Sequence, residues 1–424
     1  MALLLFLSFI IFLLIGIPVS YSLGLSCLIY FLGSDIPLIA FAQKMYSGLD
    51  SFTLLCIPGF ILAGNLMNEG GLTRKIIAFS KALVGHIRGG VGMSNIVASM
   101  VFAGISGTAL ADVASIGNIM IPTMKKEGYD PKYAVAISCS SSLVGPIIPP
   151  SLPMIIVGTL TGLSVGKLFV AGILPGILLG LGMLVIVYFI AKKGNYPIQK
   201  RSTLKETLIS LYNGIWSLIM VFIILFGILG GFFTPTEASI VAVLYALLVG
   251  IFIYKKLNFK NIILIVKDSL KTTAGIMLLV GFANIFAWIL ATENIPQLLA
   301  STLLSITTNK ILILLLINLI FLFAGCFLET ISALLILVPV LLKVVTEVGV
   351  DPINFGLIAV LNLVIGLTTP PVGVCLFVAS DIGKVPLTES IKGLAPFFIW
   401  MMIVLLLVTY VPAITLWLPS LLGN

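Results

Sequence analysis

Charge is what this sequence has least of. Only 9% of its 424 residues are Asp, Glu, Lys or Arg, and 60% are hydrophobic. A soluble globular chain carries roughly 25% charged residues, so this one cannot be solvated on all sides. Histidine is almost missing: His86 stands alone in a basic stretch and reads as a loop residue, not a ligand. No H-E-x-x-H zinc motif occurs, and no G-x-x-x-x-G-K-[ST] loop, so the chain does not itself hydrolyse ATP. Cys27, Cys56, Cys139, Cys326 and Cys375 lie in apolar segments without paired spacing. They read as small membrane residues, neither disulfides nor metal ligands. No basic region precedes the first apolar run, the first lysine being Lys44, so that run is expected to be a retained span and not a cleaved signal.

What is present in abundance is apolar sequence of membrane-crossing length. Runs 2–17, 52–67, 168–191, 215–233, 238–254, 272–292 and 397–418 recur along the chain. A bilayer-spanning helix needs about 20 mostly apolar residues. Forty glycines and 21 prolines are scattered through these runs, which favours broken or tightly packed helices over a barrel. The class is an all-α polytopic membrane protein. The formal charge of +8 reflects Lys and Arg in loops between apolar runs, where they set orientation in the bilayer; no nucleic-acid partner is implied.

The chain also repeats itself. At an offset of 221 residues, Phe102-Ala103-Gly104 meets Phe323-Ala324-Gly325, and Gly128, Asp130 and Pro131 meet Gly349, Asp351 and Pro352. Gly145, Pro149 and Pro150 meet Gly366, Pro370 and Pro371; Gly172 and Pro175 meet Gly393 and Pro396. The shared residues are mostly Gly and Pro, which dictate backbone shape. Segment 73–88 holds Arg74, Lys75, Lys81 and Arg88 and no acid, whereas its counterpart 294–309 has no charge. Corresponding places therefore face opposite sides of the membrane, and the repeats are inverted. The expected division is N-terminal scaffold spans (1–51), a first repeat (52–191), central scaffold spans with an arm helix (192–271) and a second repeat (272–424). The first repeat contains a surface arm helix (73–88), a re-entrant hairpin (92–123) and a broken helix (134–158). The second contains a hairpin (311–342) and a broken helix (354–378). With 256–271 read as a second basic helix along the inner surface, the pattern predicts about ten spans and two hairpins.

Two unusual features recur inside the apolar sequence. Hairpin one reads F-A-G-I-S-G-T-A-L-A-D-V-A-S-I-G (102–117), with Ser106, Thr108, Ser115 and Asp112; hairpin two reads F-A-G-C-F-L-E-T-I-S-A-L-L (323–335), with Glu329, Thr330 and Ser332. Intramembrane carboxylates are costly and mark ion or substrate paths, or else are paired structurally. The second feature is a double-proline break: 140–151 interrupts one span and Gly366-Leu367-Thr368-Thr369-Pro370-Pro371-Val372-Gly373 its twin. Such a break bares carbonyls, which with Ser and Thr hydroxyls suit a small hard cation such as Na⁺. A kink serving packing alone is the competing reading. The stretch Thr234-Pro235-Thr236-Glu237 reads as a helix N-cap.

GISGTALADVASIG, GPIIPPS, FTPTEAS, GCFLETISALLILVP and GLTTPPVGVCLFV together resemble the large membrane subunit of the tripartite ATP-independent periplasmic (TRAP) transporters. The resemblance spans essentially the whole chain. It implies an elevator-type, Na⁺-coupled importer of organic acid anions in the bacterial inner membrane, working with a small membrane subunit and a periplasmic substrate-binding protein. The small subunit is expected as a separate chain. It further implies at least two Na⁺ sites where a hairpin tip meets a broken helix. One would use Gly104, Ser106, Thr108 and Gly145 with carbonyls near Pro149; the other Gly325, Cys326, Gly366 and Thr369 with Glu329 close by. Ser106, Asp112, Glu329 and Thr330 are the candidates for contact with substrate, Asp112 serving either the first site or the substrate passage. The substrate class implied is sialic acid or a C4-dicarboxylate. A stand-alone Na⁺/dicarboxylate symporter of similar build is the alternative within transport. A membrane enzyme would need acidic or His/Ser catalytic sets in aqueous loops, and the loops here are poor in them.

Overall fold

The computed structural model describes residues 1–307 and 309–421, so Thr308 of the 294–309 segment and the last three residues of the 272–424 unit lie outside the described residues. Every regular element among the described residues is helical. The first are α1 (Ala2–Leu14), α2 (Val19–Leu32), α3 (Ile39–Leu49), α4 (Cys56–Glu69) and α5 (Leu72–Val84). A helical hairpin follows: α6 (Gly90–Ser106), then α7 (Ala109–Asp112), a π-type turn (Val113–Gly117) and α8 (Asn118–Lys126). Then come α9 (Pro131–Ser142), α10 (Leu152–Thr161), α11 (Val165–Lys193), α12 (Leu204–Leu229) and α13 (Pro235–Leu248). The remainder is α14 (Phe259–Thr292), α15 (Ile295–Ile306), α16 (Lys310–Phe327), α17 (Thr330–Glu347), α18 (Pro352–Gly366), α19 (Val374–Gly383), α20 (Leu387–Tyr410) and α21 (Ala413–Leu421).

Local chemistry explains many of these boundaries. Asp130 and Asp351 each cap a helix whose first residue is proline, accepting from Lys132 N at 3.1 Å and Ile353 N at 2.8 Å. Proline is tolerated there because its missing N–H has no intrahelical partner anyway. Thr234 and Glu237 form a reciprocal capping box at the start of α13, and Thr203 and Glu206 another at α12. His86 lies in the turn between α5 and α6, and all five cysteines are free and buried.

At the 221-residue offset the helices themselves correspond. Residues 109–126 meet α17, and the α6–α7 junction meets the α16–α17 junction. Packing then crosses between the copies: α10 lies on α17 and α18, while α19 lies on α8, α9 and the π-type turn, and α11 packs on α20. Hairpins and interrupted helices of both copies thus form one interlocked body. Around it stand α1–α5 and α12–α14, where α2 and α3 pack on α14 and α4 on α13.

Polar stitches hold each hairpin to its own broken helix. Asn95 and Ser99 of α6 both donate to Ser141 of α9, at 3.1 and 3.0 Å. In the second copy, Asn362 of α18, the counterpart of Ser141, donates to Asn318 of α16 at 2.8 Å, and Asn318 to Thr409 of α20 at 3.1 Å. In lipid, such pairs act as specific glue between helices.

Among the described residues, eight helices are long and apolar enough to cross a membrane. The exposed surface agrees: Leu3, Phe189, Phe226 and Leu244 are all more than half exposed. Two expectations differ from what is observed. The run 2–17 yields a 13-residue helix, α1, packed on the equally short α2, because Gly16 takes a left-handed backbone (φ 90°) and Pro18 precedes α2. The second arm, 256–271, is not a separate helix. It begins at Phe259 and runs unbroken into the next span, since no proline or glycine interrupts 260–274.

Candidate functional site

The first hairpin tip turns at Gly107, whose φ of 62° a side chain would strain. Thr108 then caps α7 by accepting from Ala111 N at 3.4 Å. The Ser106 hydroxyl donates to Asp112 Oδ1, which folds the carboxylate back under the tip. Asp112 is fully buried, and its Oδ2 has no protein partner. That oxygen faces Gly145, at the first turn of the interrupted segment 143–151; a Cβ there would collide with it. A Cβ on Gly107 would likewise lie 3.0 Å from the carbonyl oxygen of Pro150. Ser151 closes the break, accepting from Met154 N at 3.3 Å and donating to the Pro146 carbonyl. Tip and break therefore meet around a buried carboxyl oxygen that has no protein partner.

The second tip is built differently. Glu329 occupies the position of Thr108 and caps α17, accepting from Ile331 N at 3.0 Å and Ser332 N at 3.4 Å. A carboxylate is well placed at a helix N-terminus, so the cap alone accounts for one of its oxygens. Gly325 and Gly366 pack backbone to backbone: a Cβ on Gly366 would sit 2.8 Å from the Gly325 carbonyl oxygen, and one on Gly325 3.1 Å from that of Leu363. The break that follows, 367–373, holds Thr369, whose hydroxyl donates to Ile365 O at 3.0 Å. Cys326 Sγ turns to Leu322 O at 3.1 Å, and the buried Thr330 hydroxyl is without a partner.

Ser106, Gly107, Asp112, Gly145 and Pro150 thus converge at one junction, and Gly325 and Gly366 at the other. Gly104 is turned to a neighbour outside its own break, with Val221 of α12 on its Cα. Ser106, Thr108 and Glu329 line a common cavity of about 400 Å³ between the two tips. Beside Phe102, Leu152 and other residues of the hairpins and first break, its lining includes α4, through Ile61, Gly64, Asn65 and Asn68, and α14, through Thr272 and Ile276. No basic side chain is among these lining residues. The α4 and α14 contributions went unnoticed in the sequence. Their signal was faint, namely two asparagines three residues apart at the end of an apolar run.

The architecture is that of a helical membrane protein with paired hairpins, paired helix breaks and a cavity between the tips. Consistent with this, the crystal structure of the YdaH transporter of Alcanivorax borkumensis has the same fold, with a TM-score of 0.59 at 14% identity over 91% of this chain and 89% of that one. The chain belongs to the family described as "Tripartite ATP-independent periplasmic transporter, DctM component", whose profile matches residues 6–414. It is 43% identical over 407 residues to the sialic acid TRAP transporter large permease protein SiaM of Vibrio cholerae, covering 96% of this chain and 95% of that protein. It is 40% identical over 403 residues to the C4-dicarboxylate TRAP transporter large permease protein DctM of Pseudomonas aeruginosa, covering 95% and 94%. The chain is therefore a large permease component of the inner membrane, a member of a family of transporters and not of enzymes.

Proposed function

We propose that this permease is a sodium-coupled importer of an organic acid anion, of the sialic acid or C4-dicarboxylate class. It would receive substrate from a periplasmic binding protein and work beside a small membrane subunit. The observation that carries this reading is the orphaned oxygen of Asp112 at the junction of tip and break. A buried carboxylate without a paired base is strongly unfavourable, so the group either takes up a proton or is joined by a cation, and the oxygen donors around Asp112 favour the cation. Ser106, Gly145 and the carbonyls around Pro149 supply hard oxygen donors beside it, which fits Na⁺. At the second junction Glu329, Thr330 and Thr369 with the carbonyls of Gly325 and Gly366 are the donors for another ion, and Cys326 and Thr108 border the two junctions.

Cavity chemistry supports the same coupling. An anion entering a cavity with no Lys or Arg in its lining needs its charge compensated from elsewhere. Sodium ions held just behind the two tips supply that compensation, so ion and substrate favour the same state, as coupled transport requires. The interlocked hairpins and broken helices form the moving body, sliding as an elevator against the surrounding helices. Uptake into proteoliposomes holding the complete transporter tests the coupling. Replacing external Na⁺ with choline is expected to reduce it to background; unchanged flux would end the reading.

A further inference from the structure

Three cavities lie in a row along α14. One of about 190 Å³ is lined by Val280 and Asn284, the tip cavity by Thr272 and Ile276, and a third of about 370 Å³ by Asn261 and Asp268. These positions step by three or four residues, apart from a longer interval between Asn261 and Asp268 that Ile265 fills, so they share one helix face. From Asn261 to Asn284 that face is about 34 Å long, close to the hydrocarbon thickness of a bilayer of about 30 Å. On α4, Asn65 and Asn68 border both the tip cavity and the third cavity, so those two adjoin at the asparagines. The 190 Å³ cavity shares no lining residue with the tip cavity.

We propose that this face of α14, with α4, is the fixed wall of the substrate path, and that Asn65 is the threshold between the tip cavity and a polar vestibule. The proposal deepens the permease reading and rests on it. Two hydrogen bonds make the threshold rigid. Asn65 Nδ2 donates to Ser269 Oγ of α14 at 2.9 Å, and Asn68 Oδ1 accepts from Thr73 Oγ1 of α5 at 2.7 Å. Both asparagines are half-buried, with amide groups at the edge of each cavity. The vestibule lies by the start of α14, in a stretch of sequence that carries Lys255, Lys256, Lys260 and Lys267, the side that positive charge assigns to the cytoplasm. Glu69 and Asp268 stand exposed at its mouth, Asp268 paired with Lys271 at 3.1 Å, so of the two it is Glu69 that presents like charge to a departing organic anion. In this conformation the tip cavity adjoins the vestibule on the cytoplasmic side and shares no lining residue with the 190 Å³ cavity.

Single cysteines test this, because the five native thiols are buried. In inside-out vesicles an anionic, membrane-impermeant methanethiosulfonate should label Asp268→Cys, Thr272→Cys and Ile276→Cys. Ala274→Cys and Leu278→Cys, on the opposite face at matched depth, should react about tenfold more slowly, since a thiol facing lipid does not ionise. Equal rates on the two faces would overturn the wall. Adding Asn65→Leu should slow labelling at Thr272→Cys but not at Asp268→Cys, while Asn65→Gln leaves both unchanged. Equal effects at both positions would overturn the threshold. Labelling needs neither sodium nor substrate, so its failure is distinguishable from failure of the sodium-coupling proposal, which the choline experiment reads.

Discussion

Asp112 and Glu329 look alike in sequence, and their surroundings separate them. Glu329 spends one oxygen on the first N–H groups of α17, a role a neutral amide can also fill. Glu329→Gln should therefore keep the fold while removing a charge from the cavity; thermal unfolding in detergent should be unchanged and the Na⁺ dependence of uptake weakened. Asp112→Asn also preserves shape, but it removes the one side chain at the first junction that can carry a full negative charge to an ion. Its expected effect is a rise of about tenfold or more in the Na⁺ concentration for half-maximal uptake, equivalent to about 1.4 kcal/mol of binding. A sodium titration of uptake reads it directly, and an unshifted midpoint removes Asp112 from the ion site. Away from the site, Thr234→Ala deletes the cap of α13 and should cost about 1 kcal/mol, visible as a lower unfolding temperature with transport retained.

Among elements, the decisive contacts are those between hairpin and break. Gly366→Ala inserts a methyl group where the Gly325 backbone already lies, so the second tip must separate from its break. Uptake should be lost although the protein still inserts and purifies. Gly275 in α14 has nothing within 4 Å of its would-be side chain, and Gly275→Ala should stabilise the helix by about 0.5–1 kcal/mol. The polar stitches belong to this scale too. Asn362→Leu leaves the buried Asn318 amide without one of its partners, a loss of about 1–3 kcal/mol that thermal unfolding in detergent measures.

For the whole molecule, the two copies cannot move independently. α10 of the first repeat rests on the second hairpin, and α19 of the second rests on the limb of the first that holds the π-type turn and α8. Any displacement of one tip must carry the other, which is the mechanical basis for the proposed elevator. Its dependence on partners separates it from a stand-alone symporter. Removing the periplasmic binding protein should abolish uptake by the assembled permease, whereas a self-sufficient symporter would continue at its former rate.

Much of this was legible in the linear sequence, and for short-range reasons. Scarce charge and recurring apolar runs decided the membrane class. Gly, Pro, Asp and Thr at helix ends act within a turn or two, so the hairpin tips and breaks could be read from Gly107, Thr108, Asp130, Pro149 and their partners 221 positions on. Even the continuity of α14 past residue 271 was latent in the lack of any helix stop. What tertiary structure alone decided is which groups meet. Asn65 finds Ser269 across 204 positions, Gly104 faces α12, and Asp112 keeps one oxygen free beside Gly145. Local propensity shapes each segment, but a cavity exists only where distant segments fail to fill the space between them. No pattern along the chain encodes that until the helices have packed.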